Sequence, residues 1–162
     1  MKLSLNLRGW NGLGFRELAD VAASMRFSGV ELYNIHKYPE MTGKDGPFNL
    51  YHYQATLRRL KEKHLFIPVI DSSCEITARE EEDLKGLAGD AEAFRVPYIA
   101  ACVHEDKEDE VMEVLERLVP FCEAHRVCLL IKTTGIYADT KRLCRVLDHF
   151  ACDSIGALWD MH

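Results

Sequence analysis

The last apolar run of the chain, residues 155–159, leads directly into Asp160 and His162, two side chains that make good metal ligands. An apolar run that ends in polar groups is how a buried strand delivers side chains into a site. The arrangement recurs upstream. Asn6 and Arg8 close the run at 3–7, and Asn34 and His36 follow the run at 29–33, which carries Glu31 inside it. Asp71, Ser72 and Ser73 follow residues 66–70, and His104 and Glu105 follow residues 98–102. Lys132, Thr133 and Thr134 follow residues 128–131. A single Asp or His in a loop is ordinarily solvated; six strand ends that all carry polar groups indicate a shared rim. Two of these residues also raise a question of burial. Glu31 lies between Val30 and Leu32, and a buried carboxylate needs a partner, so it is either a site residue or paired to a basic group on the first strand. Lys132 ends an apolar run; a buried ammonium needs a carboxylate, or its pKa falls and it becomes a candidate base or Schiff-base amine.

The segments between these runs have helical period. Leu18, Val21, Ala22 and Met25 fall at i, i+3, i+4, i+7, and Tyr53, Leu57, Leu60 and His64 mark a second helix. Leu84, Leu87, Ala88 and Ala91 give a third, Val111, Leu115, Leu118 and Cys122 a fourth, and Leu143, Val146, Leu147 and Phe150 a fifth. Pro120 inside the fourth predicts a kink or an early stop. Residues 35–49 read as one long polar loop, the kind that often carries function. The order is βα five times, then β. Continuous apolar runs indicate strands covered on both faces, hence a parallel sheet flanked by helices. An open doubly wound sheet would want a glycine-rich phosphate loop after the first strand, and Gly12-Leu-Gly14 lacks the third glycine. The better fit is an α/β fold of the parallel (β/α)8 TIM-barrel type, incomplete, with about six strands and five helices, forming one partial domain over 1–162.

Composition bounds the function. The chain has 162 residues, 48% apolar and 28% charged, with a net charge of −6, which argues against nucleic acid or an anionic membrane as partner. The start, MKLSLNLRGW, has no apolar core of a signal peptide, and no run approaches the roughly 18 residues that span a bilayer, so a cytoplasmic location is expected. None of the six cysteines forms a C-x-x-C pair, and they read as free thiols acting as small hydrophobes. His64 and His125 precede strands, on the face opposite the rim, and read as structural; the acids at 80–83 read as a solvated helix start.

The stretches NLRGWNGLGFRELADVAASMRFSGVELYNIHK, LKEKHLFIPVIDSSCEIT, LLIKTTGIYADT and GALWDMH together resemble the xylose isomerase-like TIM barrels, a family of sugar phosphate isomerases and epimerases. The resemblance runs over essentially the whole chain. It implies a metal-dependent sugar isomerase or epimerase acting on a small sugar or sugar phosphate, with a divalent cation (Mn, Mg, Zn or Co) at the C-terminal rim. In the sugar epimerase branch a Glu, an Asp, a His and a Glu from strands five to eight hold the cation, and the acids on strands five and eight move the proton. Carried over, Asp160 matches the strand-six ligand. The His of the D-x-x-H motif would fall at position 163, one past His162. The strand-five Glu falls on Lys132. Glu31, His36, Asp71 and His104 are the expected substrate-binding residues.

Lys132 changes the sign of the charge at a cation site. At about 4 Å and an effective dielectric of 20, a pair of unit charges is worth about 4 kcal/mol, and a divalent ion doubles it. Metal binding in the family's manner is therefore not expected. The chain reads as an N-terminal portion of the barrel: a fragment, a truncated paralogue, or half of a split protein. The alternative function is a catalytically inactive sugar-binding or assembly subunit. Open strand edges predict a homo-oligomer or a completing partner chain.

Overall fold

The runs read as strands are parallel strands in the structure, a computed structural model that describes residues 2–6, 8, 14–104 and 107–159. The elements are β1 (Ser4–Asn6), α1 (Phe15–Ser24), β2 (Gly29–Tyr33), a 3-10 turn (Ile35–Lys37), α2 (Pro39–Thr42), α3 (Tyr53–Glu62) and β3 (Val69–Glu75). Then follow α4 (Glu81–Phe94), β4 (Tyr98–Cys102), α5 (Glu108–Ala124), β5 (Cys128–Lys132), a second 3-10 turn (Gly135–Ala138), α6 (Thr140–Phe150) and β6 (Ile155–Leu158). The strands lie in one sheet in the order β1-β2-β3-β4-β5-β6. Sequential order with helical crossovers is the pattern of a βα barrel rather than of a doubly wound sheet, whose order reverses at a switch point.

The chain divides into two compact units, Met1–Asp71 and Ser72–His162. In the first, Ser4 pairs with Gly29, Asn6 with Glu31, and Tyr33 with Asp71. Successive strand residues face opposite ways, so Val30 and Leu32 are fully buried while Glu31 and Tyr33 are half-buried. Leu18 and Ala22 of α1 and Leu60 of α3 are among the buried apolar residues of this unit. In the second unit, β4 pairs with β5 from Tyr98–Cys128 to Ala101–Ile131, and β5 pairs with β6 from Leu129–Ile155 to Lys132–Leu158. Its core is built from Leu84, Leu87 and Ala91 of α4, Leu115 and Leu118 of α5, and Leu129 and Ile131 of β5.

Four expectations are corrected. The third strand begins at Val69 and runs to Glu75, because Pro68 has no N–H for the ladder and Phe66 joins the sheet only by a single bridge to Gly29. Asp71, Ser72 and Ser73 are thus strand residues, with the Ser72 hydroxyl donating to the Ala100 carbonyl at 3.3 Å. The loop at 35–49 contains the first 3-10 turn and α2, which has Pro39 in its first turn. Pro120 does not interrupt α5: it sits on the exposed side, near the equally exposed Glu116 whose carbonyl it cannot bond, while Leu118, Val119 and Cys122 stay buried. In the acidic run at 80–83, Glu81 is not solvated. It is 8% exposed and bound by Arg117 of α5 (2.8 Å) and Lys85 of its own helix (2.8 Å).

Four of the helices end in the same way. The amide of Phe27 bonds the carbonyl of Ala22 (2.9 Å), that of Leu65 bonds Leu60 (2.8 Å), that of Val96 bonds Ala91 (2.7 Å) and that of Val127 bonds Cys122 (3.0 Å). The residue before each, Arg26, His64, Arg95 or Arg126, is in the left-handed region at φ 56–61°. These are Schellman motifs, which satisfy the last helix carbonyls. Their left-handed position is here filled by a basic residue rather than glycine. A cation at a helix C-terminus is favoured by the helix dipole, which offsets part of the backbone cost.

Candidate functional site

Parallel register puts paired residues on one side of a sheet, so Ser4, Asn6, Glu31, Tyr33 and Asp71 share a face of the first unit. The Glu31 carboxylate is held by two neutral donors: the Ser4 hydroxyl on Oε1, and the Asn6 amide on Oε2 at 3.0 Å. Of the two readings of Glu31, pairing with a basic group on the first strand is not what the described residues show. Each carboxylate oxygen keeps a lone pair for a further donor. The Asn6 carbonyl oxygen accepts from the Arg8 amide at 2.7 Å, and the Arg8 guanidinium lies 5.3 Å from the centre of the Tyr33 ring, within cation–π range. Asp71 is 9% exposed, and its backbone carbonyl accepts from the Asn34 amide at 2.9 Å. Asn34 takes the left-handed conformation (φ 47°) and turns the chain off β2 into the 3-10 turn. That turn buries Ile35 and leaves His36 exposed.

In the second unit, Lys132 is the last residue of β5, half-buried and paired in register with Leu158. Beyond it the chain folds tightly: Thr134 N donates to the Lys132 carbonyl at 2.8 Å, and Gly135 follows at φ +58°. A Cβ on Gly135 would lie 1.8 Å from the Val103 carbonyl oxygen, so the segment after β5 rests directly on the segment after β4. Only glycine fits there. His104 is exposed and lines a shallow pocket with Thr77, Lys107 and Glu110. Lys107 and Glu110 pair at 2.8 Å. Tyr137 is fully buried, and its hydroxyl and that of Thr134 have no hydrogen-bond partner among the described residues. Burial first, and then the charge of Glu108, push the Tyr137 phenol up to about 12.

The structure therefore brings Glu31 and Asp71 onto one face of the first unit and places His104 and Lys132 at neighbouring strand ends of the second. Asp160, His162 and Glu105 lie outside the described residues. Among the described residues, no group of three or more His, Cys, Asp or Glu side chains is placed to hold a metal ion. The described end of β5 presents an ammonium, which does not fit a cation ligand. Sequence reasoning missed the roles of Ser4 and Tyr33, although the spacing Ser4–Asn6 and Glu31–Tyr33 is the period of a strand and could have shown the shared face. Nothing in the sequence signals the burial of Tyr137.

No family model matches the chain, and no curated protein matches it. Solved structures do. The probable 3-DHS dehydratase AsbF of Bacillus anthracis, involved in petrobactin synthesis, is 20% identical with a TM-score of 0.75, over 99% of this chain and 63% of that one. A D-psicose 3-epimerase determined in the presence of D-fructose is 11% identical with a TM-score of 0.76, over 99% and 63%. The IolI protein, which carries a bound zinc atom, is 15% identical with a TM-score of 0.73, over 97% and 62%. Others are xylose isomerase domain proteins. Likeness at these identities is likeness of fold, and the chain spans less than two thirds of the length of these proteins. Its fold is that of the xylose isomerase-like barrels.

Proposed function

We propose that the chain is part of a xylose isomerase-like barrel that binds a small sugar or sugar phosphate at its strand ends and serves its isomerisation or epimerisation. The observation that carries this reading is the Glu31 carboxylate, held by Ser4 and Asn6 on a face it shares with Tyr33 and Asp71. A polyol presents several O–H donors in a small volume. A fixed carboxylate flanked by an aromatic ring and a second acid suits it, because the acceptors orient the hydroxyls and the ring meets the C–H face. Isomerisation also requires a positive group at the carbonyl and a base beside the neighbouring proton. In this reading Lys132, at the end of β5, is the residue of the second unit that carries a positive charge of this kind.

Lys132 also favours a second reading. If no carboxylate stands where the proton must be taken, the chain binds sugar without turning it over and acts as a binding or assembly subunit. Under either reading β1 and β6, the outer strands of the sheet, are edges that a further segment or a second chain would cover.

The test is calorimetric titration with D-fructose in the presence and absence of EDTA. Millimolar, EDTA-insensitive binding that weakens at least tenfold in Glu31→Ala is expected. Fructose turnover detected by chromatography selects the enzyme; binding without turnover selects the subunit. Absence of saturable binding by the full chain removes both.

A further inference from the structure

The first unit has a cavity of about 350 Å³ between α1 and α3, within the range of small-molecule sites. Two buried residues, Ala19 and Leu60, lie along it, and Ala55 faces it from α3. The small side chains of Ala19 and Ala55 are what leave the helices unfilled at this point. Phe15 forms one wall and is fixed edge-on against Phe48, with ring centres 4.8 Å apart.

The polar lining is mostly cationic. Arg16 and Arg59 approach from the two helices, and His52 stands at the start of α3; Asp45 is the one acid in the lining. Among the described residues neither guanidinium has a hydrogen-bonded acceptor or an ion pair. The carboxylate on which both guanidiniums act, Asp20, is bound by Lys63. Lys63 is the main cause of the lowered Asp20 pKa, and Arg16 and Arg59 contribute to it from a distance, so both arginines act on the same small region.

We propose that this cavity binds a small organic anion, with its phosphate or carboxylate between Arg16 and Arg59 and a flat or apolar body against Phe15, Ala19 and Leu60. Paired guanidiniums recognise both oxyanions by the same forked hydrogen bonds. The proposal does not depend on the function assigned to the strand ends.

The test is an NMR titration of the full chain with phenyl phosphate and with benzoate, following the Ala19 and Ala55 amides, with phenol as the neutral control. At least one of the two anions is expected to give saturable shifts there at millimolar concentration. Which one does so identifies the oxyanion. Arg16→Ala/Arg59→Ala is expected to weaken that binding at least tenfold, and Arg58→Ala, on the same helix but outside the lining, to leave it unchanged. Three results overturn the proposal: no saturable shift with either anion, equal affinity in the double variant, or phenol binding as tightly as the anions. Both arginines are exposed, so the double variant keeps the fold, which its amide spectrum verifies.

Discussion

Glu81 shows how far a residue's role depends on what the fold brings to it. Arg117 is the main cause that holds its carboxyl at about 2, with Lys85 adding to it and burial opposing, against an ordinary value of 4.5. A carboxyl depressed in the folded state stabilises it above the unfolded pKa, and that stability is lost as pH falls through the folded value. Glu81→Gln is therefore expected to lower stability at pH 7 by about 1–2 kcal/mol and to flatten the acid limb between pH 4.5 and 2. Urea unfolding at a series of pH values measures both effects. The sequence does not show this pairing, because Arg117 lies 36 positions away and meets Glu81 only when α4 and α5 pack together. Glu31 and Lys132 are legible for the opposite reason. Glu31 interrupts an apolar run and Lys132 ends one, and a charge so placed is visible without any partner. What the sequence leaves open at Glu31 is the identity of the donors, which depends on the register of β1 against β2.

At the scale of elements, β2 and β4 have the bounds that their apolar runs predict, and the helices contain the periodic residues read for them except Met25 and His64, which fall just past the ends of α1 and α3. Ends are less legible than centres. A strand stops where its ladder loses a donor, which is why Pro68 shifts β3 toward its polar half. The helix ends show a related limit. A glycine would announce a left-handed cap, and the basic residues used here do not. The left-handed conformation costs a residue with a Cβ about 1–2 kcal/mol, most of all a β-branched one. Arg95→Val is accordingly expected to destabilise by about 1–2 kcal/mol, whereas Arg95→Gly changes stability by less than about 1 kcal/mol, since relief of strain offsets the lost dipole interaction and the added unfolded-state entropy. Thermal unfolding of the pair decides this, and equal losses in the two variants would contradict the account.

For the whole molecule, the alternation of strands and helices was enough to choose a parallel barrel-type fold, and the sheet order and the solved structures agree with that choice. The cysteines read from the sequence as free thiols acting as small hydrophobes; all six are free, but Cys144 is exposed rather than packed. They grade from exposed Cys144 to fully buried Cys122, whose thiol burial pushes up to about 12; Cys128, half-buried, is pushed up to about 11 by the same cause. Thiolate is the reactive form, so their labelling is expected to follow this order. With an aromatic disulfide reagent at pH 8, Cys144 reacts first and Cys122 only at the rate of unfolding. Mass spectrometry of the labelled peptides gives the order directly, and early modification of Cys122 would mean that α5 opens on its own.

The shared cap at Arg26, His64, Arg95 and Arg126 has a consequence for ancestry and engineering. Four successive βα modules leave their helices through one backbone geometry, which makes these turns natural junctions for recombination. A chimera that joins two of this chain's own modules at different caps, Arg95 to Arg126 for example, would meet the same hydrogen-bonding frame on both sides of the cut.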